Sequence, residues 1–144
     1  MKSEEPPLTP EQVAKLIDEA KSAAANAYAP YSGFRVGAAL FLRDGAVVTG
    51  ANVENASYGL TICAERSAVV RAIGERGPQT RIRAIALANL NAASSSPCGA
   101  CLQVLAEFTE PDAWVVFPVA GRLETRRFAE LFPFPFQLST SATS

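Results

Sequence analysis

Apolar residues fall into helical spacing soon after a polar opening. Val13, Leu16, Ile17, Ala20 and Ala24 share one face of a 3.6-residue repeat. Thr9 stands before Pro10 with Gln12 three places on, the signature of a capped helix start. The pattern predicts a helix from Pro10 to about Tyr28, stopped by Pro30. The period then shortens. Phe34–Leu42 reads as a strand, Arg43-Asp44-Gly45 as a hairpin turn and Ala46–Gly50 as the returning strand. Residues 51–60 are rich in polar groups, and alternation lets Asn52 and Glu54 point to one side of an extended segment. A second helix is expected from a Thr61 cap to about Glu75, with Val69, Val70 and Ile73 as apolar positions and Gly77-Pro78 as the stop. Arg81–Leu90 reads as a strand and 91–96 as a Ser/Asn-rich loop. Pro97 opens a third helix carrying Val104, Leu105 and Phe108. Ala113–Pro118 and Leu123–Phe128 read as strands, and Phe128–Phe132 as one helical turn.

This order predicts an α/β fold on a mixed sheet of about five strands, an antiparallel hairpin followed by parallel crossovers. At 144 residues one domain is expected, over 9–136, with flexible tails at 1–8 and 137–144. A composition 49% hydrophobic and 19% charged excludes disorder of the whole chain and leaves apolar surface for subunit contacts. Net charge is −1, and basic residues occur in scattered pairs such as Arg126-Arg127. That gives no footprint for nucleic acid and favours a small ligand. No apolar stretch is long enough to span a membrane and the opening is polar and acidic, so a cytoplasmic protein is expected.

Chemistry concentrates in two short segments. Cys63-Ala64-Glu65-Arg66 and Pro97-Cys98-Gly99-Ala100-Cys101 hold all three cysteines. Cys98 and Cys101 are spaced to face the same way at a helix start, and Cys63 opens the other helix. Helix amino termini favour thiolates. Three thiolates leave one position of a tetrahedral zinc open, as hydrolysis requires. Glu65 is two residues from Cys63, so it need not be a ligand and can carry protons beside the metal. The chain has no histidine, which removes Ser-His-Asp, Cys-His and two-histidine metal mechanisms. A purely structural zinc site, with Glu65 or an aspartate as fourth ligand, uses the same residues.

These two segments resemble the zinc motifs of the cytidine deaminases that act on free nucleosides with three cysteine ligands. Tyr31–Leu40 resembles the family's nucleoside-pocket strand, Asn52–Leu60 its ribose-binding segment, and Leu131–Phe136 its C-terminal segment. The resemblance covers about Leu8 to Phe136. It implies a three-layer α/β/α sheet fold and the zinc-dependent hydrolytic deamination of cytidine and 2′-deoxycytidine to uridine and 2′-deoxyuridine, with release of ammonia, in pyrimidine salvage. It implies one zinc per subunit on Cys63, Cys98 and Cys101, Glu65 as the proton shuttle and Arg66 beside the thiolates. Phe34, Asn52, Glu54, Tyr58, Ala64 and Phe136 are then expected to bind substrate. A homotetramer with pockets shared between subunits is implied, with no nucleic-acid or membrane partner. One departure stands out: Leu102 occupies a place where the family commonly has arginine, so charge compensation falls on Arg66. Read without the resemblance, Asn52 and Glu54 are ordinary turn residues, and Phe132 and Phe134 are core or interface aromatics. A deaminase for another aminopyrimidine, a nucleic-acid-editing deaminase and a non-catalytic zinc-stabilised module are the competing functions.

Overall fold

The computed structural model describes residues 8–139. Helix α1 (Pro10–Ala24) starts with the expected capping box: the Thr9 hydroxyl accepts from the Gln12 N–H, and the Gln12 side chain accepts from the Thr9 N–H. It ends four residues before Tyr28. Tyr28 instead bridges to Val53, so the chain is already extended before Pro30. Strands β1 (Val36–Leu42) and β2 (Val47–Ala51) form the hairpin, with Gly45 in the left-handed region at φ 91°. Helix α2 spans Ala64–Arg76, β3 Ile82–Asn89 and α3 Gly99–Ala106. Strands β4 (Thr109–Val119) and β5 (Arg122–Arg127) lead into a single turn, α4 (Phe128–Leu131).

The five strands lie in the order β2-β1-β3-β4-β5. Only β3 and β4 pair in parallel, one crossover rather than several, because β5 returns directly from β4 as a second hairpin. Helix α1 covers one face, where Leu16, Ile17 and Ala20 meet Ala39, Ala84, Ala86 and Val116. Helices α2, α3 and α4 cover the other, over Leu40, Leu42, Ile85, Leu87, Val115 and Phe117. The result is the expected α/β/α sandwich.

Two glycines set how closely the helices approach. A Cβ on Gly37 would lie 1.9 Å from the Ala20 carbonyl oxygen of α1, and one on Gly50 would lie 2.4 Å from the Ala68 nitrogen of α2. Leu8, at the edge of the expected N-terminal tail, packs against the α1-side core. The rest of that tail, residues 1–7, and residues 140–144 lie outside the described residues. No described helix is long and apolar enough to cross a membrane.

Candidate active site

Strands β1, β2 and β3 bring three chain segments to one end of the sheet. The segment after β2 runs through Asn52 and a 3₁₀ turn at Tyr58–Leu60 into α2. The loop after β3 runs into α3. Cys63, not Thr61, is the residue that starts α2; Thr61 lies outside the helix, and its hydroxyl accepts from the Asn55 N–H. The hydroxyl is therefore spent holding the 52–62 loop. Cys98 starts α3 in the same way, and Cys101 lies one turn inside it.

The sulfurs of Cys63, Cys98 and Cys101 all lie within 4.8 Å of one another, and those of Cys98 and Cys101 are 3.4 Å apart. Sulfurs sharing one tetrahedral zinc at about 2.3 Å are about 3.8 Å apart. The three thiols fit such an ion with little movement. Each stands at a helix amino terminus, where backbone N–H groups favour negative charge. The Arg66 guanidinium approaches the Cys63 sulfur at 3.5 Å and the Thr61 carbonyl at 3.4 Å, while its buried Nε has no hydrogen-bond partner. A hydrogen bond from Cys101, then Arg66, bring the Cys63 thiol down to about 5. Cys101 is pushed up, because it donates to Cys63 and is buried. Leu102, the next residue, points into the apolar core on the α2 side.

Glu65 is only 5% exposed, and burial pushes its carboxyl up to about 7. It lines a cavity of about 190 Å³ together with Cys63, Cys98, Ala64, Phe34 and Asn52. Thr61 also lines it, and Val36, Leu87, Ser95 and Ser96 complete the wall. Sequence reasoning missed these four. The two serines had a usable signal in their position just before Pro97-Cys98, and Val36 in its place within the Tyr31–Leu40 segment; Leu87 had none beyond strand periodicity. A larger apolar groove of about 610 Å³ between α1 and the β4–β5 edge, lined by Val13, Ile17, Trp114 and Leu123, holds none of the thiols and no carboxylate but Asp18.

The remaining expected residues surround this cavity at different depths. Asn52 is buried; it accepts from the Val36 N–H at 2.9 Å and donates to the Phe34 carbonyl at 2.8 Å. Glu54, also buried, sits one layer behind. It accepts from the backbone N–H groups of Tyr31 and Ser32 and from the Ser32 hydroxyl. The Ser32 hydroxyl, then those N–H groups, hold its carboxyl below the usual range. Each side chain keeps hydrogen-bonding capacity: the second N–H of Asn52 and further lone pairs on Glu54. Tyr58 is 68% exposed, edge-on to Tyr31 with ring centroids 6.4 Å apart. Phe136 does not reach the cavity of its own chain; its backbone N–H and carbonyl are both bonded to the Gln103 carboxamide on α3. Phe132 packs on Phe128, whereas Phe134 is 90% exposed, which rules out a core role within the chain for the latter.

Residues 10–117 match the model of the cytidine and deoxycytidylate deaminase zinc-binding region. The chain is 46% identical over 122 residues to the cytidine deaminase of Halalkalibacterium halodurans, covering 84% of this chain and 91% of the relative. It is 47% identical over 123 residues to that of Mycobacterium tuberculosis, covering 85% and 88%. The crystal structure of cytidine deaminase from Burkholderia pseudomallei superposes with a TM-score of 0.79 at 42% identity, over 90% of this chain and 100% of the other.

Proposed function

The chain belongs to the cytidine and deoxycytidylate deaminase family, and from that premise we propose that it hydrolyses cytidine and 2′-deoxycytidine to the corresponding uridines and ammonia. One observation carries the reading. A carboxyl held at about 7 by burial shares a 190 Å³ cavity with two of three clustered thiols at helix amino termini. A structural zinc site needs four protein ligands and no cavity; here the carboxyl faces one.

Cys63, Cys98 and Cys101 hold one zinc per subunit. Bound there, zinc acidifies water near neutral pH and so supplies the nucleophile for hydrolysis. Glu65 removes a proton from the attacking water as oxygen adds at C4 of the base. It delivers that proton to the ring nitrogen, then takes the second from the new C4 hydroxyl and gives it to the departing amino group, so that water and cytidine become uridine and ammonia. A carboxyl can carry the proton in both directions, and such a shuttle contributes ~10²- to 10⁴-fold. The Ala64 N–H, at the start of α2, donates to the base carbonyl. Phe34 packs on base and sugar, and the spare capacity of Asn52 and Glu54 meets the ribose 3′-hydroxyl. Arg66 offsets the thiolate charge.

Tyr58 and Phe136 complete pockets of neighbouring subunits in a homotetramer. Support comes from the exposed Tyr31, Val53, Tyr58, Leu60 and Ile62 around the 53–62 segment, an unusual apolar concentration for a free surface. Light scattering tests that assembly. Residues 9–136 form the catalytic unit, and three reduced thiols fit the cytoplasm. The decisive experiment compares wild type with Glu65→Gln for cytidine and deoxycytidine turnover by ultraviolet absorbance, with zinc measured on the same samples. The variant keeps zinc and loses at least 10²-fold in kcat. Unchanged turnover in the variant, or none in the wild type on any pyrimidine nucleoside, overturns the proposal.

A further inference from the structure

The segment carrying Phe34 is not part of any strand until Val36, yet its peptide groups are all satisfied. The Asn91 carboxamide accepts from the Arg35 N–H at 2.9 Å and donates to the Gly33 carbonyl at 3.0 Å. Asn52 repeats this grip one residue later, on the Val36 N–H and the Phe34 carbonyl. The Phe34 N–H donates to the Ser32 hydroxyl, and the Arg35 carbonyl accepts from the Leu90 N–H. Two carboxamides thus grip interleaved peptide groups on either side of Phe34. Each makes the pair of bonds that a neighbouring strand would have made.

Asn91 is itself held. Asn89 accepts from the Asn91 and Ala93 N–H groups and donates to the Ala93 carbonyl at 2.7 Å. This loop leads directly to Ser95, Ser96 and Cys98 on the cavity wall. Asn91 lies far from Phe34 in the chain and is exposed, so a purely stabilising side chain could be replaced there at small cost.

We propose that Asn91 is a positioning residue for the nucleoside site: it fixes Phe34 against the cavity by bridging the 33–35 segment to the loop that leads to Cys98 and Cys101. The inference rests on the proposed nucleoside pocket. Its mode of action is binding rather than chemistry. Glu65 and the thiols stand at the starts of α2 and α3, and the two Asn91 bonds go to neither helix. Without it, residues 33–35 must be ordered by the substrate at the moment of binding, which weakens binding about tenfold for each residue so ordered.

The test uses full-length Asn91→Ala and Asn91→Asp; the aspartate keeps the volume and the acceptor for Arg35 while losing the donor to Gly33. Measured for each are zinc content, KM and kcat for cytidine, Ki for uridine as product inhibitor, and hydrogen exchange at the Arg35 amide. In the alanine variant KM and Ki should rise together, about tenfold or more, with kcat within threefold of wild type, zinc unchanged and Arg35 exchange faster. The aspartate variant should shift the same way. A folded variant with unchanged KM and Ki overturns the inference. So does a fall in kcat that tracks lost zinc, which would place the role of Asn91 on the metal loop. If wild type turns over no pyrimidine nucleoside, the activity reading fails. Calorimetric binding of cytidine to wild type and variants then decides this inference separately, equal affinities overturning it.

Discussion

Replacing Gly50 by alanine tests how tightly the catalytic geometry depends on one sheet–helix contact. Gly50 lies within β2, so alanine suits its backbone and the effect is purely steric. The new Cβ would sit 2.4 Å from the Ala68 nitrogen, 2.8 Å from the Ala64 carbonyl oxygen and 2.8 Å from the Ala68 Cα, all backbone atoms that cannot rotate away. Ordinary contact begins at 3.4 Å, so α2 must lift by about 1 Å. Overpacking of this kind costs about 1–3 kcal/mol. Helix α2 begins at Cys63 and carries Glu65, whereas Cys98 and Cys101 belong to α3. Lifting α2 therefore separates one thiol and the carboxyl from the other two thiols. A 1 Å misplacement of reacting groups costs about 10²-fold in rate.

Gly37→Ala provides the comparison. Its Cβ would meet the Ala20 carbonyl oxygen at 1.9 Å and the Ala24 nitrogen at 2.6 Å, on the opposite face of the sheet. That clash is the worse of the two, yet it pushes on α1, which carries none of the thiols and not Glu65. Urea denaturation, zinc per chain and kcat are measured on both variants under conditions where each is folded. Gly50→Ala should lose zinc or about 10²-fold in kcat. Gly37→Ala should lose at least as much stability while keeping zinc and keeping kcat within a few fold. Wild-type zinc and kcat in folded Gly50→Ala, or equal catalytic losses in both variants, would refute the reasoning.

Chelation of the metal should abolish turnover while leaving the far-ultraviolet circular dichroism intact, because the cores on both faces of the sheet consist of aliphatic and aromatic side chains; unfolding on chelation would instead mark the zinc as structural. Glu65→Gln should also stabilise the metal-free chain in a pH-dependent way. Raising the carboxyl from its ordinary 4.5 to about 7 disfavours folding once it must ionise, on the order of 3 kcal/mol above pH 7 and nothing below pH 4.5, so denaturation at pH 4 and pH 8 should show a gap that opens only at the higher pH. Ser32→Ala removes the hydroxyl that links Glu54 to the Phe34 N–H, and should raise KM for cytidine severalfold with kcat little changed; steady-state kinetics in which kcat falls alone would contradict that linkage.

The parts of the molecule legible in the sequence are those set by local chemistry. The capping box fixed the start of α1, and the Asp-Gly turn fixed the first hairpin, because each depends on residues within a few positions of one another. The three thiols were legible because a metal site needs particular residue types at particular spacings. The end of α1 was misplaced because Tyr28 is drawn out of the helix by a bridge to Val53, a contact 25 positions away that no periodicity records. The cap of α2 falls on Cys63 although local rules favour Thr61, because the Asn55 N–H takes the Thr61 hydroxyl. Asn91 was legible only as a polar residue in a polar loop. Its partners, Gly33 and Arg35, are fixed by the pairing of β1 with β3.

That pairing also explains why the site lies at this end of the sheet. Strand β1 lies between β2 and β3 and pairs antiparallel with both, so its start stands beside the ends of its two neighbours. The pocket-wall segment 31–36 enters β1 exactly where the chain leaves β2 toward Cys63 and leaves β3 toward Cys98. Both exits lead into helix amino termini, so the dipoles of α2 and α3 converge on the same thiols. The convergence lowers the cost of gathering three thiolates, while burial, and after it the neighbouring Cys63, hold the Glu65 carboxyl up at about 7 against the pull of the α2 amino terminus. In a chain without histidine, a carboxyl moved upward by its surroundings reaches the range that imidazole occupies by its ordinary pKa. Leu102 fits the same logic from the other side: it is buried among apolar side chains beneath the sheet, so the charge of the thiols is met at the mouth of α2 by Arg66, and replacing Arg66 should cost zinc affinity before it costs the fold.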